Sequence, residues 1–326
     1  MTILRAAATA SFILDATSDT LITGLTLTPA VDDYFLFATV ETQSASSSGN
    51  DSNIFSVYVG GSIVSHTERN VKEESSLDND RVTVALNARV SPNGSQAVEI
   101  RHRASTSANP HTAFRREMTL FPEPIAGVHS EDSDTVNDTL ATATWTTLAS
   151  MSRTPPADDY YLLFSADAQG PSDVNLGFRV EVGGAALAHT HRQFANENSL
   201  PNTTRPLMIA CKVSPNGSQV VEIVWSRVSG TGTITCHKRA MQLIAADSLD
   251  IIEASDTVDD TRTATGEVLL DGMTITDPGA NDWMMAYSSS NDVGTISNLI
   301  QTTYSMRSGG TKVTDSDRRN DHEGST

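Results

Sequence analysis

Val90-Ser91-Pro92-Asn93-Gly94-Ser95-Gln96 returns unchanged as Val213-Ser214-Pro215-Asn216-Gly217-Ser218-Gln219, a spacing of 123 residues (213 − 90). The spacing holds without slippage to Met118-Thr119-Leu120 and Met241-Gln242-Leu243, so the repeated unit is of domain size. Solenoid units span about 20–50 residues, and a period this long marks tandem domains. Ser18-Asp19-Thr20, Ser133-Asp134-Thr135 and Ser255-Asp256-Thr257 open three copies, and Gly60-Gly61, Gly183-Gly184 and Gly309-Gly310 mark one turn within each.

We divide the 326 residues accordingly. Residues 1–14 form an N-terminal strand matching the last strand of a module, because Met1-Thr2-Ile3-Leu4 aligns with Met118-Thr119-Leu120-Phe121. Module 1 takes 15–126, module 2 takes 127–248, and 249–326 form a partial module 3 that reaches Thr326 before its VSPNGSQ turn. Continuation of the natural chain, completion by a partner chain and a shortened third copy are all compatible with this offset. The first is favoured, since the N-terminal segment offers a single strand where two or three are missing.

Within each module apolar residues alternate over short runs: Tyr34 to Val40, Ile54 to Val59, Arg81 to Leu86 and Ala97 to His102. Period two with β-branched enrichment predicts strands, and the Gly-Gly and Pro-Asn-Gly stretches predict turns. Asn93-Gly94 between alternating runs predicts a hairpin. No long amphipathic helical pattern occurs. The expected fold is all-β: tandem antiparallel β-sandwich modules of jelly-roll type, the third incomplete.

The order Asp33-Tyr34-Phe35-Leu36-Phe37, Phe55-Ser56-Val57-Tyr58-Val59-Gly60-Gly61 and Val98-Glu99-Ile100-Arg101 resembles the jelly-roll heads of complement-type and tumour-necrosis-factor-type proteins. It is closer still to the jelly-roll modules of tailed-bacteriophage virion proteins. Module 2 repeats it as Asp159-Tyr160-Tyr161-Leu162-Leu163-Phe164, Phe178 to Gly184 and Val221 to Val224, and the third copy as Asp282 to Tyr287. The resemblance implies packing by threes, either as a homotrimer or as a pseudo-trimer within one chain.

A net charge of −18 and a pI near 4.7, with no Lys/Arg run, argue against nucleic acid or an anionic membrane as partner. No segment has the roughly 18–20 apolar residues of a membrane span, and Met1 to Leu14 makes no secretory core. The two cysteines, Cys211 and Cys236, stand where module 1 has Ala88 and Ala113, which predicts neighbouring positions in a sheet. A disulfide and two buried free thiols both fit that placement.

The most suggestive polar constellation follows the Gly-Gly turn: His66 and Glu68, His189 and His191, Asp315 and Asp317, each pair trailed by Arg69, Arg192 or Arg318. Residues i and i+2 of a strand share a face, so each pair offers two metal ligands. A third and fourth ligand are not identified, and the preferred reading is a solvent-facing polar edge where arginine pairs with nearby carboxylates. Asp32-Asp33 and Asp158-Asp159 read as turn residues. No nucleophile motif, phosphate loop or HExxH occurs, so no enzyme activity, catalytic residue or cofactor is expected.

The expected function is that of a virion structural protein of a tailed phage, a capsid-decorating or fibre-like appendage assembled in the host cytoplasm. Its partners would be copies of itself, other virion proteins and, at most, a host surface glycan. The alternative is a secreted or cell-surface carbohydrate- or ligand-binding sandwich, which a cluster of exposed aromatic rings would favour. Trp145, Trp225 and Trp283 instead occupy non-equivalent strand positions and read as packing.

Overall fold

Alternating β-branched and aromatic side chains bury one face of each run, and the computed structural model forms a strand at every run quoted for the first two modules. The structure describes residues 3–44, 51–73, 81–105, 111–123, 129–195, 204–246, 253–257, 269–276, 286–288, 300–313 and 318–322. Module 1 contains β1 (Leu4–Ala8), β2 (Phe12–Leu14), β3 (Thr20–Leu27), β4 (Tyr34–Ser44), β5 (Asp51–Val59), β6 (Ser62–Ile63), β7 (Arg69–Glu73), β8 (Arg81–Val90), β9 (Val98–Ala104) and β10 (His111–Pro122). Module 2 contains β11 (Ser130–Asp134), β12 (Asp138–Leu140), β13 (Thr146–Arg153), β14 (Tyr160–Gln169), β15 (Asn175–Val182), β16 (Ala185–Ala186), β17 (Arg192–Ala195), β18 (Thr204–Val213), β19 (Val221–Ser229) and β20 (Ile234–Ala245). The third repeat supplies β21 (Ile300–Tyr304), β22 (Arg307–Ser308), β23 (Thr311–Lys312) and β24 (Arg318–His322).

In module 1 one sheet runs β1-β10-β4-β8 and the other β7-β5-β9-β3. Module 2 repeats the pattern as β11-β20-β14-β18 facing β13-β19-β15, with β17 on β15. All the pairings are antiparallel, and this interleaving of two four-stranded sheets is the jelly roll. Each module has its own core: Leu36, Val57, Leu86 and Ile100 meet in the first, and Leu162, Val180, Ile209 and Ile223 in the second. A buried arginine, Arg116 or Arg239, ties the opening segment to the rest of its module. Arg116 donates to the carbonyls of Ala10 (2.7 Å) and Thr23 (2.8 Å), and Arg239 to those of Val136 (2.8 Å) and Ala149 (3.0 Å).

The two repeated turn motifs touch one another. Gly60 and Gly61, at φ +57° and +81°, make the two-residue turn between β5 and β6, which suits a type I′ hairpin. The Gln96 side chain lies over it, so close that a Cβ on Gly60 would stand 2.5 Å from Gln96 Nε2. Gln96 Oε1 accepts from Asn93 N at 3.1 Å, and Asn93 Oδ1 accepts from Ser95 N and Gln96 N. Gln219 covers Gly183 in the same way.

Four expectations are corrected. Asn93-Gly94 is not a hairpin turn: β8 before it pairs with β4, β9 after it pairs with β5 and β3, and the turn carries the chain from one sheet to the other. An Asn-Gly turn satisfies either path, and the alternating pattern on both sides is identical. Residues 1–14 do not stand in for a last strand: β1 and β2 pair with the last strand, β10, and so open module 1 at the N-terminus. Ala7-Ala8-Thr9 rather than Ser18-Asp19-Thr20 is the counterpart of Ser133-Asp134-Thr135, because Ala8 pairs with Arg116 as Asp134 pairs with Arg239. Cys211 and Cys236 are buried free thiols on strands either side of β14, opposite Leu162 and Ala168. Six residues of strand separate those rungs, about 20 Å at 3.3 Å per residue, so the two are not neighbours.

Two further features bear on how the modules relate. Thr204 of β18 pairs with Lys72 of β7, so the path β11-β20-β14-β18-β7-β5-β9-β3 crosses both modules as one sheet. β24 of the third repeat lies against β8 of module 1.

Candidate functional site at the junction between modules

Among the described residues, the side chains that follow the Gly-Gly turn point to separate partners. Instead of continuing as a strand, the chain makes one 3-10 turn at Ser65–Thr67 and at Ala188–Thr190, so the i and i+2 side chains do not share a face. Thr67 and Thr190 fix each turn: their hydroxyls accept from the amides of Val57 and Val180 at 2.9 Å and donate to the carbonyls of Val64 and Leu187. His66 Nε2 stands 3.1 Å from Glu131 Oε1, whereas Glu68 meets Arg103 and Lys238. His189 Nε2 stands 3.1 Å from Glu253 Oε1, whereas His191 lies edge-on to Trp145. Asp315 and Asp317 lie outside the described residues. Among the described residues no three His, Cys, Asp or Glu side chains gather as a metal would require.

What these elements position is an arginine. Arg69, fully buried at the start of β7, donates to the carbonyls of His66 (2.8 Å) and Glu68 (2.9 Å) in its own module. Its other nitrogen crosses to module 2 and donates to Ser165 O (2.8 Å) and Ser165 Oγ (2.6 Å) on the outer face of β14. The same hydroxyl meets Asn87 of β8. A guanidinium suits this place because its planar fork serves two sets of carbonyls at once.

Arg192 repeats the arrangement one module later. It donates to the carbonyls of His189 (2.8 Å) and His191 (3.0 Å), then to Ser288 O (2.7 Å) and Ser288 Oγ (2.8 Å) in the third repeat. The acidic partners repeat as well: Glu131 accepts from the amide of Arg89 at 2.5 Å, and Glu253 from the amide of Lys212 at 3.3 Å. Each junction therefore joins the edge of one module (turn, arginine and following strand) to the outer face of the next.

Burial governs the electrostatics. Desolvation lowers Arg69 to about 10, against the pull of Asp167, Cys236 and Glu131. It raises Asp167 to about 7, against the pull of Arg69 and the Asn70 amide, which donates to Asp167 Oδ2 at 3.3 Å. The Cys211 and Cys236 thiols are pushed well above the usual range, chiefly by burial.

Sequence reasoning found the arginines, but the expected solvent-facing edge with carboxylate partners is corrected: Arg69 is fully buried, and Arg69 and Arg192 donate to backbone carbonyls and to a serine of the next repeat. Ser165 lies 96 positions from Arg69, as Ser288 does from Arg192, and no local pattern announces either serine. The equality of the two spacings was the available signal. Asp32-Asp33 and Asp158-Asp159 sit in turns as expected: Asp32 Oδ1 accepts from Asp33 N, Asp33 pairs with Arg89 and Asp159 with Lys212. Trp225 is buried in the module 2 core against Phe178, and Arg179 covers the ring of Trp145 at 4.1 Å. Trp283 lies outside the described residues.

No protein-family model matches the chain, and no curated protein matches it. Among solved structures it is similar to infectious bursal disease virus, Gx strain, at 12% identity over 76% of this chain and 73% of that one, with a TM-score of 0.25. It is also similar to the tandem CBM22-1–CBM22-2 domains of Xyn10C from Paenibacillus barcinonensis, at 10% identity, 75% and 93% coverage and a TM-score of 0.22. A third is PNGF-II, at 7% identity, 77% and 66% coverage and a TM-score of 0.31. Scores this low assign no function. No helix among the described residues is long and apolar enough to cross a membrane.

Proposed function

We propose that the chain is a non-enzymatic structural protein of a virion, a capsid-decorating or fibre-like appendage of a tailed phage built from repeated jelly rolls. The observation that carries this reading is the repeated junction. The chain's most chemically suggestive side chains, His66, Arg69, His189 and Arg192, all hold one module to the next. A protein whose polar residues serve its own rigidity is suited to bearing load or covering a surface. The acidic surface favours solubility and disfavours nucleic acid.

The test is quantitative mass spectrometry of particles purified by density gradient from a culture that produces the protein. Its peptides are expected at a fixed stoichiometry to the major capsid protein. Their absence from particles, with the protein abundant in the cleared supernatant, would sink the proposal and turn attention to a soluble binding role.

A further inference from the structure

We infer that the three repeats close into a ring within one chain, the third docking back on module 1 about a pseudo-threefold axis. The inference is independent of the proposed function. It rests on three observations.

The first two junctions are equivalent contact by contact: Arg69 on Ser165 as Arg192 on Ser288, and His66 beside Glu131 as His189 beside Glu253. A heterologous edge-to-face contact, applied repeatedly, yields either an open row or a closed ring, according to its rotation. The relation of β24 to β8 distinguishes them. β24 is the counterpart of β7, since Arg318 pairs with Tyr304 as Arg69 pairs with Phe55. β8 is the counterpart of β18, because each pairs with the same central strand, β4 or β14. β24 against β8 therefore repeats β7 against β18, and in an open row the first and third modules would not meet.

The third observation is a small apolar cluster outside both module cores. Phe37, Leu163 and Ala286 occupy one position in the three repeats: Phe37 and Leu163 by strand register, and Ala286 because Ser288 stands where Ser165 does. All three belong to this cluster, together with Phe35, Phe121 and Ile244. Equivalent residues of three units meet when the units surround a common axis. By sequence position the polar pair changes sign at the closing junction: Arg5 replaces Glu131, and Asp315 replaces His66.

The experiment is cross-linking of the full chain at high dilution. Thr83→Cys with Asp321→Cys places one thiol on β8 and one on β24, and spares the Arg81–Glu41 ion pair. Lys72→Cys with Thr204→Cys marks the junction already described. Cys211 and Cys236 are buried with thiols held protonated, so they compete poorly for a short bismaleimide. Both pairs are expected to link within the monomer at rates within about threefold of each other. The inference is overturned if 72/204 links while 83/321 links tenfold more slowly or only between chains. Small-angle scattering of the unsubstituted chain decides independently of linking chemistry: a closed monomer has a radius of gyration near 20 Å by the compact-domain scaling for about 326 residues. A distinctly larger value at monomer mass overturns closure.

Discussion

Arg69 shows how one side chain can fix the relation of two domains. Removing it leaves the carbonyls of His66, Glu68 and Ser165 without their shared donor in a buried site. Truncating one member of such a buried charged network typically costs about 3–5 kcal/mol. Arg69→Ala is therefore expected to lower thermal stability severely, and Arg69→Lys to recover only part of it, because an ammonium cannot fork to both modules. Full recovery by lysine in a melting experiment would show that charge alone matters. Two further titratable groups, one at the junction and one in module 1, set opposite pH limits. Asp167, raised to about 7 by burial, binds its proton more tightly folded than unfolded, so its contribution is complete below the ordinary carboxylate range and lost as pH rises through 7. Stability of the junction should fall as pH rises from about 4 to 7 and add no further slope above that, and Asp167→Asn should flatten the fall; an unchanged slope would rule out Asp167 as its source. His102, lowered to about 4 chiefly by burial, acts in reverse: below about 6.5 the unfolded chain takes a proton that the folded chain refuses. Module 1 should lose stability as pH falls from 6.5 toward 4. His102→Phe, which keeps an aromatic ring beside Phe12, should remove that loss; module 2 has Trp225 at the equivalent position.

At the scale of elements, the alternating runs fixed the strands, because period two follows from the pleat whatever lies at the strand ends. They did not reveal which sheet a strand joins. Asn93-Gly94 serves equally a hairpin or a crossing between sheets, and the deciding contact, Gln96 over Gly60, joins two motifs some 30 residues apart. Gly94→Ala should test the crossing. At φ +85° a Cβ would also stand 3.2 Å from the Val31 amide, so a loss of about 1–2 kcal/mol is expected from chemical denaturation. Gly217→Ala, at φ +86° with its Cβ 3.1 Å from the Ala157 amide, should cost the same in module 2. A neutral result at both would mean that these turns relax freely. The start of module 1 was misplaced for a related reason: β1 and β2 match β11 and β12 through shared partners on the last strand, and their own residues are unlike.

For the whole molecule, repetition was legible because it lies along the chain, and the junctions were not, because their partners lie in successive copies. A periodic sequence says which residues are equivalent and is silent on which equivalents touch. The shared sheet and the Arg69 contact predict that modules 1 and 2 unfold together in calorimetry, and that Arg69→Ala separates them into two transitions. A single transition in the variant would show that the sheet continuity at Thr204 and Lys72 suffices alone.

The two thiols, finally, bear on where such a protein can work. Cys211 and Cys236 are buried, far apart across β14, and held protonated by their surroundings, so neither a partner thiol nor a soluble oxidant meets a thiolate. The fold has no covalent memory of its compartment: a chain folded in a reducing cell interior and one carried into an oxidising medium have the same bonds.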